Sequence, residues 1–276
     1  MGLLRRLAPR NDMVLDFLRF HECWNSGRLG YNGKQKHFST RRKRMEQEFQ
    51  AYLTPTPIID SDHKSVRDYA METIRGSTEP VEKAVKLYLA VRDNILYDPY
   101  SPFYLPEHYR ASTVLKRGRS FCVPKASLLC AMGRACGIPS RIGFADVRNH
   151  LATQQLLDFI GSNLFVYHGF ADFYLEGKWV KATPAFNSSL CKRHNVPPLE
   201  FNGREDSLFQ PYNLDNQKFM EYVKFYGIDA DVPVDQIVAA WEKAYGEERV
   251  KGWIKSFEER GDRSLSEFEK EDVFIE

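Results

Sequence analysis

The sequence predicts an α+β fold in which helices pack against an antiparallel sheet. Two observations indicate this fold: one helix with well-marked ends, and strand-like stretches with a tight turn directly after it. The helix is predicted over about residues 123–136, since Pro124 suits a first helical turn and Gly137 suits the residue just beyond a helix end.

Three stretches rich in aromatic and β-branched residues predict the strands: residues 141–147, 164–175 and 179–182. Glu176 and Gly177 form a plausible two-residue hairpin turn between the last two. With that turn, Phe170 faces Thr183 and His168 faces Ala185, all on one side of the sheet. His168 and Thr183 are then diagonal neighbours, with Cβ atoms at most about 7–8 Å apart.

Cys122 stands where the predicted helix begins. Free backbone N–H groups and the helix dipole favour a thiolate at such a position, and Arg119 and Lys125 add positive charge nearby. The alternative is that Cys122 is a small buried apolar residue, as most free cysteines are. The predicted strands place His168 next to the polar residue Thr183. This arrangement favours a reactive Cys122 in a Cys-His nucleophilic site.

Other side chains are predicted near this site. His150 is the rival of His168 as the base, but its polar, loop-like flanks suggest a substrate-side position instead. Asn149 and Phe170, together with His150, are predicted to contact the substrate.

The order of these features resembles the transglutaminase-like superfamily, which includes transglutaminases, peptide N-glycanases and bacterial cysteine proteases. The resemblance covers about residues 51–237, and its most specific parts are the Gly-Ile-Pro-Ser-Arg of residues 137–141 and the hairpin of residues 168–184. It implies a papain-like fold with a catalytic Cys122 at a helix N-terminus and His168 as general base and acid.

The third catalytic position of that superfamily, usually Asp, falls on Thr183 here. A hydroxyl can hold the imidazole but brings no charge to stabilise the imidazolium. Asn187 is a second candidate for this role, because an Asn orients the histidine in papain-like sites. Asp172 lies on the same face as His168 but two residue pairs away.

The resemblance implies a cysteine amide hydrolase or acyltransferase that acts on a peptide or protein amide through a thioester. Hydrolysis is favoured over cross-linking, and neither a cofactor nor a metal is expected. The alternative is a catalytically weakened or inactive relative that serves as a binding or scaffold domain, which the missing Asp would explain.

The amino-acid composition argues against several other classes of protein. The 276 residues are 43% hydrophobic, and no apolar run approaches a membrane span. Five scattered cysteines without Cys-x-x-Cys pairs argue against a disulfide framework or a zinc ribbon and favour the cytoplasm. The net charge of +2 contains a basic segment, residues 1–44, with 11 Lys or Arg against 3 Asp or Glu. We interpret it as a poorly ordered extension, which makes a nucleic-acid partner unlikely.

The predicted domain organisation is a basic extension (1–44), a single transglutaminase-like domain with C-terminal helices (45–260) and a frayed tail (261–276). Met45 is a credible natural start for the globular part. Outside the site, the patterns predict helices, a long loop and one strand with a turn. The helices are expected at residues 62–75, 81–95, 218–226 and 234–259, an amphipathic stretch at 151–160, the loop at 101–118 and the strand with its turn at 199–203.

Overall fold

The structure, a computed structural model, describes residues 49–260 and 268–272. The proposed extension 1–44 and the start at Met45 lie outside the described residues, as does most of the predicted tail. The described helices are α1 (Lys64–Thr73), α2 (Pro80–Asn94), α3 (Pro106–Tyr109), α4 (Ala111–Arg117), α5 (Cys122–Ala135), α6 (Gln154–Ile160), α7 (Ser188–Arg193), α8 (Val234–Tyr245) and α9 (Glu247–Arg260).

The described strands are β1 (Leu96–Tyr97), β2 (Arg119–Ser120), β3 (Ser140–Asn149), β4 (Leu164–Leu175), β5 (Lys178–Ala182) and β6 (Met220–Asp229). The last four form an antiparallel sheet in the order β5-β4-β3-β6, and β1 and β2 form a short parallel pair. The predicted α+β architecture, with helices against an antiparallel sheet, is confirmed. In the described part of the chain, every helix is too short or too polar to cross a bilayer.

The hairpin between β4 and β5 has the predicted turn and register. Glu176 and Gly177 have φ of 47° and 87°, the left-handed conformations that a tight hairpin turn requires. Ala171 pairs with Ala182, which is the predicted register. The ladder ends at that pair, so Thr183 continues just beyond it.

Helix α5 is the central helix of the domain, and all its residues from Val123 to Arg134 are buried. A helix that is buried all round needs neighbours on every side. Helices α1, α2 and α4 cover one side, and strands β3 and β4 cover the other. Its C-terminal end is tied down because the Arg134 guanidinium donates to the backbone oxygens of Thr54, Ser140 and Ala230.

Two glycines allow α5 to approach the sheet closely. A Cβ atom on Gly133 would lie 2.5 Å from the Phe173 ring, and one on Gly169 would lie 2.8 Å from the Cα of Val123. The second contact is with backbone, which cannot move aside as a flexible side chain can. Gly169 therefore sets how near the first turn of α5 comes to β4.

Residues 218–226, predicted as a helix, form most of strand β6 instead, so that prediction is wrong. Tyr222 pairs with Val147 and Phe225 pairs with Ala145 in an antiparallel ladder. Aromatic and β-branched residues in this stretch supply the side chains that favour a strand, and pairing with β3 decides the conformation.

Further predictions outside the site need correction. The predicted loop 101–118 contains α3 and α4, and residues 199–203 form no strand. The predicted helix 234–259 is interrupted at Gly246, whose φ of 96° is incompatible with continuing the helix. The flank of His150, predicted as a loop, is strand β3 up to Asn149.

We predict that Gly169→Ala lowers the free energy of unfolding by about 1–3 kcal/mol, because the new methyl group overlaps the backbone of Val123. The control is Gly227→Ala in the same sheet, where a Cβ meets nothing within 4 Å. Urea unfolding of both variants measures the difference. Equal stabilities would show that the helix and strand are not in close contact at Gly169.

Candidate active site

Cys122 is the first residue of α5, after an extended Phe121 that links β2 to the helix. The backbone N–H groups of Gly169, Val123 and Cys122 itself approach the sulfur and lower the pKa of the thiol. Burial has a larger and opposite effect, so the pKa of Cys122 is raised to about 11. The expectation of an acidic thiol is therefore not met in this state of the site.

His168 lies on β4 next to Gly169, so the strand that contacts the sulfur through its backbone also carries the imidazole. The residue is 3% exposed, and its Nε2 has no hydrogen-bond partner within the described residues. The ring packs on Phe209, with centroids 4.9 Å apart. Burial lowers the pKa of His168 to about 3, so the imidazole is neutral at neutral pH.

A bulge in β4 positions His168. Between the pairs Ala145–His168 and Val147–Phe165, two residues of β4 face one residue of β3. One of the two, Tyr167, has a φ of 59°, and its N–H donates to Asp146 Oδ1 at 3.1 Å. Such bulges redirect side chains next to functional sites.

Cys122 and His168 line the same cavity, whose volume of about 30 Å³ has room for about one water. The remaining wall is almost entirely apolar, and Asn149 is its polar member. It is formed by Tyr97, Val147, Asn149, Leu156, Phe165, Ala185, Phe186, Phe209, Met220 and Phe268. The site is closed to a peptide in this state, since no peptide fits into a cavity of this size, although Cys122 itself is only partly buried.

The comparison with known sequences adds a family. The profile of the transglutaminase-like superfamily matches residues 67–184, a stretch that contains Cys122, His168 and Thr183. Residues 67–184 of this chain are transglutaminase-like. No curated protein sequence matches the chain.

Two solved structures are similar to this chain. One is a candidate cysteine protease from Cytophaga hutchinsonii, with 15% identity, a TM-score of 0.40 and coverage of 66% of this chain. The other is a candidate protease from Parabacteroides distasonis, with 17% identity, a TM-score of 0.32 and coverage of 43% of this chain. This chain spans 54% of the first protein and 23% of the second.

Thr183 is the residue predicted for the third catalytic position. It is 1% exposed, and its hydroxyl makes no well-aligned hydrogen bond within the described residues. It lies close enough to the Tyr222 hydroxyl to lower the pKa of that phenol, although burial raises that pKa to about 12 overall. Thr183 Oγ1 and His168 Nε2 are thus both buried, and neither makes a well-aligned hydrogen bond within the described residues.

The two other candidates for the third position have partners elsewhere. The Asn187 carboxamide accepts from the Tyr97 N–H at 2.9 Å and donates to Ser189 Oγ at 2.6 Å. Asp172 accepts from Arg141 Nε at 2.9 Å and Nη2 at 2.8 Å. Burial nevertheless raises the pKa of Asp172, and this effect exceeds the opposing effect of Arg141.

Of the three predicted substrate contacts, only Asn149 lines the cavity. His150 pairs with Glu221, with 3.3 Å between Nε2 and Oε2. The Phe170 ring lies over Gly143, where a Cβ atom would come within 2.4 Å of it, and the cavity wall does not include it. The roles of all three residues stay predictions.

Lys125 is fully buried one turn into α5. Its Nζ donates to the backbone oxygen of Arg92 at 3.0 Å and to that of Ile95, so the side chain ties α5 to the end of α2. Burial lowers the pKa of Lys125 to about 7, and the charge of the ammonium slightly lowers the pKa of Cys122. Arg119 lies in β2, in register with Leu96.

Sequence reasoning missed four residues of the site: Gly169, Phe209, Tyr222 and Phe268. A glycine inside a strand is a signal of close backbone approach, so Gly169 could have been found. The alternation around Tyr222 could have predicted a strand there. Nothing local marks Phe209 or Phe268. Within residues 49–260 and 268–272, no three His, Cys, Asp or Glu side chains are arranged to hold a metal ion.

We predict that His168→Gln makes the protein less sensitive to acid. The pKa of His168 is about 3 in the folded chain and 6.5 in the unfolded chain. Between these two pH values, His168 binds a proton in the unfolded chain but not in the folded chain. This contribution to stability is lost as the pH falls from 6.5 towards 3, by up to about 1.4 kcal/mol per pH unit.

Urea unfolding at several pH values from neutrality down towards pH 3 measures the slope of the free energy of unfolding against pH. His168→Gln should have a shallower slope than the wild type. His150→Gln, whose ring lies beside Glu221, should keep most of the wild-type slope. Identical slopes for the wild type and His168→Gln would contradict a neutral, buried His168.

Proposed function

We propose that the domain is a cysteine amide hydrolase or acyltransferase, with Cys122 as nucleophile and His168 as general base and acid. The observation that supports it is the start of α5, where three backbone N–H groups approach a sulfur that shares a cavity with an imidazole. Helix N-termini and N–H groups of this kind stabilise a thiolate and a developing oxyanion.

In the proposed reaction, His168 takes the proton of the Cys122 thiol, and the thiolate attacks the carbonyl carbon of an amide. The imidazolium then gives its proton to the leaving amine, so the C–N bond breaks and a thioester remains. For hydrolysis, water attacks the thioester while His168 accepts its proton and returns it to the sulfur. An amine in place of water gives acyl transfer.

The closed state described here holds both groups neutral, because burial raises the pKa of Cys122 to about 11 and lowers that of His168 to about 3. Proton transfer from sulfur to imidazole therefore requires a more open state. In that state water or substrate dipoles replace apolar contacts and the two charges can form.

The proposed substrate is a peptide or another carboxamide. The superfamily includes enzymes that act on such bonds, and the solved structures named above are candidate proteases. Hydrolysis is the favoured outcome, as expected from the sequence, and the cytoplasm is the proposed compartment.

A second candidate function is a binding or scaffold domain that kept the fold without the chemistry. The uncharged Thr183 and the high pKa of the Cys122 thiol favour it. The two functions differ in one measurable property, namely whether His168 increases the reactivity of the Cys122 sulfur towards an acyl donor.

Acylation by p-nitrophenyl acetate tests this difference. The hydrolase proposal expects a burst of nitrophenolate and an acetyl thioester on Cys122, located by peptide mass spectrometry. Both signals should be lost in Cys122→Ala and strongly reduced in His168→Gln. Equal acylation of Cys122 in the wild type and in His168→Gln would favour the binding domain.

Thr183→Asp supplies the carboxylate that the site lacks. We expect it to raise the rate of Cys122 acylation by about one to two decades, because a charge-assisted hydrogen bond contributes about 1.5–3 kcal/mol to the imidazolium. Thr183→Asn is the matched control, since it has nearly the same shape and no charge. If both variants are folded and acylate at the wild-type rate, position 183 does not orient His168.

A further inference from the structure

A short segment near the C-terminus covers the site. Residues Phe268–Lys270 form one turn of 3₁₀-helix, and the Glu271 N–H donates to the Phe268 oxygen at 3.1 Å. Phe268 is 7% exposed and lines the cavity of Cys122 and His168. The segment therefore forms part of the wall that closes the site.

The Phe268 ring lies in an aromatic groove. It packs edge-on against Tyr97, Tyr100 and His194, with centroids 5.6, 6.1 and 6.1 Å away. On its far side lies a second cavity, of about 20 Å³. The two cavities share Asn149, Phe186 and Phe268 in their walls, so we expect Phe268→Ala to join them into one groove leading to Cys122.

Glu271 places a carboxylate in the same groove, at 6% exposure. Its Oε2 accepts from Thr153 Oγ1 at 2.6 Å and from the Tyr100 hydroxyl at 3.1 Å. Thr153 is also the N-cap of α6, and its oxygen accepts the Leu156 N–H at 3.1 Å. Because the cap uses the oxygen as acceptor, the hydroxyl proton is left to point at the carboxylate.

A buried carboxylate is an unusual group for a segment that only seals a core. Removing a carboxylate from water is costly unless donors compensate for it, whereas an apolar residue would seal the site without that cost. The donors belong to the body of the domain: Thr153 begins α6 and Tyr100 follows β1. The groove thus combines an aromatic pocket beside the Cys-His pair with a pair of hydroxyls that binds a carboxylate.

We propose that this groove binds the peptide substrate of the Cys122 site and that residues 268–272 compete with substrate for it. The inference rests on the proposed function and adds a substrate class to it. The ligand is a peptide with an aromatic side chain and, three residues later, a carboxylate, the spacing that Phe268 and Glu271 have in a turn. The segment acts as an internal inhibitor that has to leave before a substrate enters.

The first experiment measures access to Cys122 in the full-length chain. The rate of alkylation by iodoacetamide is followed at Cys122 by peptide mass spectrometry, with Cys136, which is partly exposed as Cys122 is, as internal reference. Phe268→Ala and Glu271→Gln should each raise the Cys122 rate about tenfold or more, since each weakens the packing that closes the groove.

Asp272→Asn is the matched control for Glu271→Gln. It removes one carboxylate from the same segment, but this carboxylate is 97% exposed and pairs with Arg193 at the surface. Its Cys122 rate should equal that of the wild type. If Phe268→Ala and Glu271→Gln alkylate Cys122 no faster than Asp272→Asn, the segment does not close the groove and the inference is wrong.

The second experiment asks whether the groove binds a peptide. A synthetic peptide with the sequence of residues 265–273 is added to the Phe268→Ala protein, and alkylation of Cys122 is measured again. We expect protection of Cys122 at saturating peptide, and weaker protection by the same peptide carrying Glu271→Gln. Absence of protection would show that the contact of the segment is structural only and would overturn the inference.

Acylation by p-nitrophenyl acetate separates this inference from the proposed function. If Phe268→Ala exposes Cys122 and the peptide protects it, but no thioester forms, the groove stands and the hydrolase proposal fails. If the wild type is acylated in a His168-dependent way and Phe268→Ala changes neither access nor rate, the hydrolase proposal stands and the competing segment is ruled out.

Discussion

The approach of the first turn of α5 to strand β4 at Gly169 is the contact on which the site depends. Only a residue without a Cβ allows the backbone of Val123 to lie where it does. That closeness lets the Gly169 N–H reach the Cys122 sulfur, and it places His168, the preceding residue, in the wall of the same cavity. Arg134 and Lys125 hold the rest of α5 against its surroundings, so the sulfur has a defined position.

The same close packing explains why the site is neutral. Groups that are surrounded by protein lose the hydration of their charged forms, and no charged group among the described residues compensates for the loss at His168. Backbone N–H groups and Lys125 do favour a thiolate on Cys122, but their effect is smaller than that of burial. The arrangement of the residues suits a nucleophilic pair, whereas their closed environment opposes the charge separation that the pair needs.

Two features of the site act on the protonation state of His168. Thr183 brings no negative charge beside the imidazole, and Phe268 helps to exclude water from the cavity. Burial keeps His168 neutral, and no charge from position 183 opposes that effect. The first feature is built into the core of the domain. The second depends on a short segment anchored by Thr153 and Tyr100, which an equilibrium between closed and open states can release.

The sequence by itself determined the helix that starts at Cys122, the hairpin with its register, and the resemblance to the superfamily, because caps, tight turns and alternating strands are local patterns. It could not determine strand β6, whose conformation comes from pairing with β3, nor the bulge at Tyr167 that positions His168. Only the tertiary structure decided that the thiol and the imidazole are neutral and that residues 268–272 cover them. Burial and long-range packing set those properties, and neither is recorded in the neighbours of a residue along the chain.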